Sequence, residues 1–387
     1  MKKLMKFISC IMVFILLASV SGAAFAADSS QLMFSSSGDF VILQFADCQD
    51  VYPAREAMVT FINEALDNVQ PNLVVFTGDN VVTDNLMAFD EILNPVVSRG
   101  LPFTFCFGNH DQESNPEKTH EDLLAVYQTY PGCLAYDADP ALSGCATHNL
   151  PILSSDGSRV AFNIWMFDSG DYMQNKDGVS GYSCVREDQV EWYINKSMQL
   201  ESENGGLVPS IAFQHIIPQE GYEIFYKSLL PLGEASKNFD DGSSYTYLPD
   251  FTKFDGYIFE PPCPSQCNFG QWNAFVERGD VLALAVGHDH TNSFVADISG
   301  VDMINTPGCT WNSYGNNLVR GCRVFTINEN DPWTYETEVI RAADLAIKEG
   351  SQIPGKEDSL FTYHSVVILS DLLESILLLI KSFNFSI

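Results

Sequence analysis

The stretch FTFCFGNHD, residues 103–111, decides the fold, because an apolar run passes directly into Gly, Asn, His and Asp. Such a run is typical of a buried strand, and the polar residues after it are typical of a functional turn. Five other apolar runs end in a similar way: FVILQFAD (40–47), LVVFTGD (73–79), VAFNIWMFDSG (160–170), PSIAFQH (209–215) and VLALAVGHDH (281–290). The sequence therefore predicts strands that end in polar clusters.

Helical patterns separate these strands. Apolar residues recur every three or four positions in AREAMVTFINEALDNV (54–69), LMAFDEILNPVVS (86–98), HEDLLAVYQTY (120–130) and EDQVEWYINKSMQL (187–200). Strands that alternate with such helices predict a layered α/β domain. Ligands of such sheets bind outside the carboxyl ends of the strands, so we expect the polar clusters to meet in one crevice.

The polar clusters have the composition of a metal site. They are Asp47-Cys48-Gln49, Gly78-Asp79-Asn80, Gly108-Asn109-His110-Asp111, His215 and Gly287-His288-Asp289-His290. Carboxylate, amide oxygen and imidazole suit Mn, Fe and Zn, and a carboxylate can bridge two ions about 3.5–4 Å apart. Each cluster alone also describes an ordinary turn or a structural histidine. As an ordered set at strand ends, they predict a metal centre.

The order of these motifs resembles the calcineurin-like metallophosphoesterase superfamily over roughly residues 39–325. Several segments are similar to its purple-acid-phosphatase-like subgroup: FADCQD (45–50), VVFTGDN (74–80), FCFGNHD (105–111), FDSGDY (167–172), EDQVEWY (187–193), FQHIIPQE (213–220) and GHDHTNSF (287–294). The resemblance implies a four-layer α/β/β/α sandwich.

The resemblance also implies roles for single residues. One metal ion would be held by Asp47, the residue at 49, Asp79 and His290. The other would be held by Asp79, Asn109, His215 and His288, so that Asp79 is the bridge. His110 would protonate the leaving oxygen or steady the phosphoryl group, and Asp111 would orient His110. The expected cofactors are two divalent or trivalent ions, Mn, Fe or Zn.

Two positions depart from the family pattern. Gln49 stands where the pattern has a histidine, and its amide oxygen is a neutral, weaker ligand than imidazole. We therefore expect lower metal affinity at the first site and a shift towards Mn or Mg. Val82 stands where true purple acid phosphatases have a tyrosine, so a purple iron–tyrosinate chromophore is not expected.

Other residues near these motifs have predicted positions outside the ligand set. Asp168 and Tyr172 end another predicted strand and are expected to line the substrate cleft, although an ordinary Asp-Gly turn explains them equally well. Strand alternation turns Cys48 away from its neighbours, which predicts a buried thiol. His120 and His148 have no ligand-like neighbours and are predicted to be surface or capping residues.

The chain divides into three predicted segments. Residues 1–26 have the pattern of a signal peptide cleaved after Ala26; the alternative, an uncleaved membrane anchor, needs roughly 20 apolar residues. Residues 27–345 form the phosphoesterase domain, with a long insertion at about 218–270 over the site. In the tail, 346–387, residues 366–380 predict an amphipathic helix; docking is favoured over a membrane span because Asp371 and Glu374 would be costly in lipid.

Cysteine count and charge restrict the partners. Nine of the ten cysteines follow the predicted cleavage site, and Cys133 with Cys145, Cys263 with Cys267 and Cys309 with Cys322 are candidate local disulfides. Half of a zinc site is the alternative for Cys263 and Cys267. The formal net charge of −30 argues against nucleic-acid polymers and anionic membranes as partners.

These observations lead to two functional hypotheses. The first is a secreted, periplasmic or cell-surface hydrolase of phosphate monoesters or diesters, acting on a small molecule or a phosphoprotein, with no membrane span left after signal cleavage. The second is a metal- or ligand-binding protein of the same fold without catalytic activity, whose first metal site has decayed at Gln49. Metal occupancy and turnover distinguish the two.

Overall fold

Strand pairing builds two large β-sheets from the predicted strands. The computed structural model describes residues 31–174, 178–228, 235–237 and 244–347, together with Leu372 and Ile376. The strands of these residues are β1 (Leu32–Met33), β2 (Asp39–Phe45), β3 (Leu73–Thr77), β4 (Phe103–Cys106), β5 (His148–Leu153), β6 (Val160–Met166), β7 (Tyr172–Gln174), β8 (Ser180–Tyr182), β9 (Ser210–Phe213), β10 (Phe225–Lys227), β11 (Ala235–Lys237), β12 (Ser244–Pro249), β13 (Asp255–Tyr257), β14 (Val281–Val286), β15 (Ser293–Ile298), β16 (Val301–Asn305), β17 (Gly321–Asn328) and β18 (Glu336–Arg341).

The order of the strands places the predicted polar clusters at sheet edges. One sheet has five strands in the order β18-β17-β2-β3-β4, and the other has eight in the order β1-β5-β6-β9-β14-β16-β15-β13. Strands β2, β3 and β4 are parallel, as are β6, β9 and β14. In each sheet, therefore, the carboxyl ends of the site-bearing strands lie side by side.

Helices cover the outer faces of both sheets. They are α1 (Glu56–Val69), α2 (Met87–Val97), α3 (His120–Tyr127), α4 (Glu187–Asn204) and α5 (Gln271–Arg278), with a 3-10 helix at Gln219–Ile224. Helix α1 buries Met58, Phe61, Ile62 and Ala65, a spacing of three to four residues that forms one apolar stripe. Helix α3 begins with a capping box between Thr119 and Asp122, which satisfies backbone N–H groups of its first turn.

Three hydrophobic clusters define four layers. Leu43 and Phe45 pack against α1 to α3, whereas Phe40 and Ile42, on the opposite face of β2, pack between the two sheets. The outer face of the eight-stranded sheet packs against α4 and α5 in a third cluster that contains Trp165. Because successive strand residues point to opposite faces, each sheet contributes to two of these clusters. The arrangement is the predicted α/β/β/α sandwich.

A buried amide joins the two sheets below their carboxyl ends. The Gln44 side chain is fully buried; its Nε2 donates to Thr77 Oγ1 at 2.9 Å, and its Oε1 accepts from Thr306 Oγ1 at 2.6 Å. Thr77 ends β3 of the five-stranded sheet, and Thr306 follows β16 of the eight-stranded sheet. A buried polar group without partners would be destabilising, so this pair of bonds favours one alignment of the sheets.

Three predicted segments lie apart from the main strands and helices, and the described residues include part of them. The described part of the 218–270 insertion contains the 3-10 helix and four strands, of which β13 joins the eight-stranded sheet, so the insertion is more regular than its sequence suggests. The predicted signal peptide (1–26) lies outside the described residues, and so does the predicted tail helix (366–380) apart from Leu372 and Ile376. Among the residues that are described, no helix is long and apolar enough to cross a membrane.

The cysteines pair differently from the sequence prediction. Cys184 forms a disulfide with Cys267, so the Cys263–Cys267 pairing is wrong. Cys133, Cys145, Cys309 and Cys322 have free thiols, which contradicts the other two local pairs. Sequence spacing favoured near neighbours, but the fold brings together two residues 83 positions apart. Cys48 is a buried thiol as predicted, with its Sγ 3.6 Å from Cys309 Sγ.

Removal of the Cys184–Cys267 disulfide is expected to destabilise the fold. A bridge that closes an 83-residue segment restricts the unfolded chain, and its loss typically costs about 2–5 kcal/mol. The double variant Cys184→Ser/Cys267→Ser should lower the free energy of unfolding in urea by that amount, and Cys263→Ser should change it much less. Equal loss in Cys263→Ser and no loss in the double variant would show that the pairing is wrong.

His148 is buried, so its predicted surface position is wrong. Its Nδ1 donates to Ala146 O at 2.7 Å, and its Nε2 accepts from Thr104 Oγ1, also at 2.7 Å. Burial lowers the pKa of His148 from 6.5 to about 4, although the Ala146 carbonyl opposes the shift. Protonation of the ring would place a charge in the buried interior, which is unfavourable.

The buried His148 is expected to lower the stability of the fold as the pH decreases. Below pH 6.5 the unfolded chain binds a proton that the folded chain does not take up until about pH 4, so stability is lost as the pH falls through this window. A shift of this size corresponds to roughly 3 kcal/mol. The free energy of unfolding should therefore fall more steeply between pH 7 and pH 4.5 in the wild type than in His148→Gln; parallel curves would contradict the assignment.

Candidate metal centre

Five strand ends of the two sheets bring the predicted ligands together. Asp47, Asp79 and Asn109 follow β2, β3 and β4 of the five-stranded sheet. His215 follows β9, and His288 and His290 follow β14, so the histidines come from the eight-stranded sheet. The oxygen donors and the imidazoles thus approach one another from different sheets.

One group of ligands surrounds His215. Its Nε2 lies 3.1 Å from Asn109 Oδ1 and 3.3 Å from Asp79 Oδ2, while its Nδ1 donates to Thr77 O at 2.8 Å. With the Nδ1 proton committed to the carbonyl, Nε2 of the neutral ring is an acceptor that faces two further acceptors. Three lone pairs that converge in this way are stabilised only by a cation, either a proton on His215 or a metal ion.

A second group surrounds Asp47. His290 Nε2 lies 3.4 Å from Asp47 Oδ1, and His290 Nδ1 donates to Tyr314 O at 2.9 Å. Gln49 Nε2 donates to Asp79 Oδ2 at 3.0 Å, so the substituted side chain does reach the site. Asp79 is in contact with both groups, which is the position that a bridging carboxylate would need.

The residues present fit a metal ion. Ligand atoms of Asp47, Asp79 and His215 lie within 4.8 Å of one another, and all three residues are buried. His288 Nε2 is buried without a hydrogen-bond partner among the described residues, and leaving such a group unpaired costs roughly 1–3 kcal/mol. A cation beside these atoms would satisfy all of them.

The backbone around the ligands is strained. Four predicted ligands have left-handed backbone angles: Asp47 (φ 52°), Gln49 (φ 40°), Asp79 (φ 52°) and His288 (φ 70°). Each such residue costs of order 1–3 kcal/mol, and such residues concentrate at functional sites. Gly108 permits the closest approach, because a Cβ on it would lie 2.3 Å from Asp79 Oδ1. The loops are therefore shaped for these side-chain positions.

The buried carboxylates and imidazoles of the site shift one another's pKa values. Burial alone would raise the pKa of Asp79, but the adjacent His215 and His110 hold it well below its usual range. Burial alone would lower the pKa of His215, but Asp79 and Asp47 raise it to about 10. Burial, together with the positive charge of His215, lowers the pKa of His288 far below its usual value. The site thus favours one positive charge between the carboxylates.

His110 lies at the mouth of the site and is held by a carboxylate that the sequence analysis missed. Its Nδ1 is 2.6 Å from Glu113 Oε2, and its backbone N–H donates to Asp79 Oδ1 at 2.8 Å. The side chain of His110 is 38% exposed, so solvent and a ligand can reach it. The spacing of three residues in NHDQE is a signal that could have identified Glu113.

Asp111 does not orient the His110 ring, so that expectation is corrected. Its Oδ2 accepts the backbone N–H groups of Gly108 and Asp79 at 2.7 and 2.9 Å, and its Oδ1 accepts that of Asn80 at 2.8 Å. Burial and the charge of Asp79 raise the pKa of Asp111 to about 6. Asp111 therefore fixes the two metal-site loops to each other.

Of the two residues predicted to line the cleft, only one lies near it. Asp168 is 2% exposed and accepts the backbone N–H groups of Cys145 and Gly170, so it is structural. The Tyr172 hydroxyl accepts from Asn109 Nδ2 at 2.9 Å, and the residue is 47% exposed. His120 is less peripheral than predicted: its ring stacks on Phe107, with the ring centroids 4.4 Å apart.

A cleft of about 390 Å³ opens over the metal ligands. It is lined by Gln49, Asp79, Val82, His110, Glu113, Ser114, Tyr182, Cys263, His288, Asp289, His290, Asn312, Ser313 and Tyr314. Tyr182 and Tyr314 were missed by the sequence analysis, because they belong to a hairpin and a loop without ligand-like residues. Cys263 is the residue of the 218–270 insertion that reaches this cleft.

The fold and the site define a class of protein: a two-sheet α/β sandwich that collects metal ligands at its strand ends. The family model described as Calcineurin-like phosphoesterase matches residues 40–292. The chain therefore belongs to the calcineurin-like phosphoesterase family, and its curated relatives are purple-acid-phosphatase-like proteins.

Two curated relatives and one solved structure illustrate the similarity. "Probable inactive purple acid phosphatase 14" of Arabidopsis thaliana is 27% identical over 345 residues, which cover 80% of each chain. "Phosphatase DCR2" of Saccharomyces cerevisiae is 26% identical over 343 residues, 78% of this chain and 54% of the yeast protein. A dimetal phosphatase from Danio rerio matches with a TM-score of 0.45 and 12% identity, over 78% of this chain and 99% of that one.

Replacement of Gln49 by histidine is expected to strengthen metal binding. Gln49 contacts Asp79, so an imidazole in its place would add a stronger nitrogen donor at the same position. Calorimetric titration of metal-free protein with Mn²⁺ or Zn²⁺ should show an affinity for the first site that is roughly tenfold higher, as changes around metal ligands commonly produce. Gln112→His is the matched control, because Gln112 bonds to Lys118 O. An unchanged titration in Gln49→His would show that residue 49 does not reach the ion.

Proposed function

We propose that the protein hydrolyses phosphate monoesters or diesters at a dinuclear metal centre in this cleft. The observation that carries the proposal is the convergence of Asp47, Asp79 and His215 in a buried cluster beside the accessible ring of His110. Family membership supports a phosphate ester as the substrate. The substrate is a small molecule or a phosphoprotein, and the acidic composition disfavours a nucleic-acid polymer.

The ligand groups described above divide between the two proposed ions. Asp47, Gln49 and His290 would hold the first; Asn109, His215 and His288 would hold the second, with Asp79 shared. When bound, two ions of Mn, Fe or Zn supply a hydroxide at neutral pH and clamp the phosphate oxygens. The carbonyls of Thr77 and Tyr314 fix the tautomers of His215 and His290, so that each Nε2 is available as a ligand.

Other residues of the cleft supply the proton to the leaving oxygen and hold the ligand loops in position. Glu113 binds Nδ1 of His110, which leaves Nε2 to carry the proton that the leaving oxygen requires. The carboxylate on the far nitrogen fixes the orientation of the ring. Asp111 and Gly108 hold the loops that carry Asp79 and Asn109, so the ligands are positioned before substrate arrives.

The competing function is that of a metal- or ligand-binding protein of the same fold without catalysis. Gln49 favours it, because a weak amide ligand lowers occupancy of the first site. The names of the Arabidopsis relatives also favour it, since they are called probable inactive enzymes. Against it, Asp79, His288 and His290 line one cleft together with His110.

We also propose export as the cellular context. The basic start, the apolar run and Ala24-Phe25-Ala26 support a cleaved signal and a secreted, periplasmic or cell-surface location. The Cys184–Cys267 disulfide supports an oxidising compartment.

Hydrolysis of chromogenic phosphate esters tests the function. The mature protein loaded with Mn²⁺ or Zn²⁺ should bind two ions and hydrolyse a nitrophenyl monoester or diester. His110→Ala should reduce kcat by about 10²- to 10⁴-fold, the contribution typical of a general acid, while its metal content stays normal. His120→Ala is the control, because His120 is not in the cleft lining. One ion per chain and no turnover would favour the binding protein, and loss of metal in His110→Ala would show that His110 is a ligand.

A further inference from the structure

The cleft offers carboxylates beyond those that the metal ions need. Glu113 and Asp289 line it together with the ligands, and among its described lining residues there is no Lys or Arg. Sites that bind additional phosphate or carboxylate groups usually provide Arg or Lys for them. The part of the substrate that lies next to the phosphate therefore meets negative charge rather than positive charge.

Asp289 supplies an independent observation that points to a ligand. It is 2% exposed and lines the cleft, and its Oδ2 has no hydrogen-bond partner within the described part of the chain. A cationic group of a ligand would be attracted to this buried, unpaired carboxylate oxygen.

Aromatic rings connect the two carboxylates. Tyr172 and Tyr182, on the β7–β8 hairpin, stack with their ring centroids 5.6 Å apart. The Tyr172 hydroxyl is within hydrogen-bonding reach of Glu113 as well as of Asn109. The Tyr182 ring contacts the ring of His288, the chain neighbour of Asp289, with the ring centroids 4.4 Å apart. Tyr172 therefore lies near Glu113 and Tyr182 near Asp289, so the wall is continuous. Tyrosine rings attract organic cations, most strongly where water is excluded.

We propose that Glu113, Tyr172, Tyr182 and Asp289 form a subsite for a positively charged ammonium group on the alcohol part of the substrate. The substrates would then be phosphate esters of amino alcohols. This inference rests on the proposed phosphoesterase function and specifies its leaving group. A cleft of about 390 Å³ is large enough for a phosphate and a small alcohol of this kind.

A pair of substrates with equal shape isolates the charge. Phosphocholine and 3,3-dimethylbutyl phosphate differ in that a quaternary nitrogen replaces a carbon atom. With the Mn²⁺-loaded mature protein, kcat/KM for phosphocholine should be at least about tenfold higher, a difference within the range of a desolvated cation–aromatic contact with a neighbouring carboxylate. Equal rates, or a preference for the neutral ester, would overturn the proposal.

Variants of the wall should change the ratio of the two rates. Glu113→Gln, Asp289→Asn and Tyr182→Leu should each bring the ratio towards one, whatever they do to the absolute rate. Glu277→Gln, which removes an exposed carboxylate on α5, should leave the ratio unchanged. A ratio that stays high in all three wall variants would show that the preference arises elsewhere and would overturn the assignment.

Failure of the subsite and failure of the enzyme hypothesis are distinguishable. Turnover of nitrophenyl phosphate without a preference for phosphocholine would refute the subsite and leave the phosphoesterase function intact. If no ester is hydrolysed, the ratio of the two dissociation constants, measured by calorimetry, replaces the ratio of rates. Tighter binding of phosphocholine, lost in Glu113→Gln, would support the subsite in a binding protein, and equal affinities would refute it.

Discussion

The central constraint on the structure is that several carboxylate oxygens and imidazole nitrogens must lie close together in the protein interior. Asp47, Asp79 and His215 would repel or leave one another unsatisfied unless a cation lies between them. The surrounding fold overcomes this by fixing the backbone first: left-handed residues, close-packed glycines and the Asp111 carboxylate set the loops before any ion binds. Stability elsewhere, from three apolar clusters, offsets the cost.

Much of this arrangement could be predicted from the sequence, because parallel strands deliver their carboxyl ends to one edge whatever their order in the sheet. Apolar runs ending in Asp, Asn or His were therefore sufficient to predict the layers and the gathering of the ligands. The positions of Asp79 and His215 follow from that rule alone. The burial of Asp168 does not follow from this rule. A carboxylate at a strand end can either bind a ligand or, as Asp168 does, accept the backbone N–H groups of a turn.

What sequence could not predict depends on contacts between distant segments. Cys184 and Cys267 are neighbours only after α4 and the 218–270 insertion pack together, so local spacing selected the wrong partners. The burial of His148 depends on Thr104 in another part of the chain. Tyr314 contacts His290 through its backbone carbonyl and by ring stacking, with centroids 4.1 Å apart, and both contacts form between segments that are distant from each other in the fold's strand pattern. Glu113 was the exception, because it lies three residues after His110 in the chain and could have been identified from that spacing.

The two sheets share the site unequally, and this has a mechanical consequence. All carboxylate and amide ligands come from the five-stranded sheet, whereas all three imidazoles come from the eight-stranded sheet. A small sliding of one sheet over the other would change the oxygen-to-nitrogen distances of the site together, without unfolding either layer. Gln44, bonded to Thr77 and Thr306, resists that shear directly beneath the centre. The Gln44 amide, which is uncharged and bonds to none of the metal ligands, thus helps to set the distances between them.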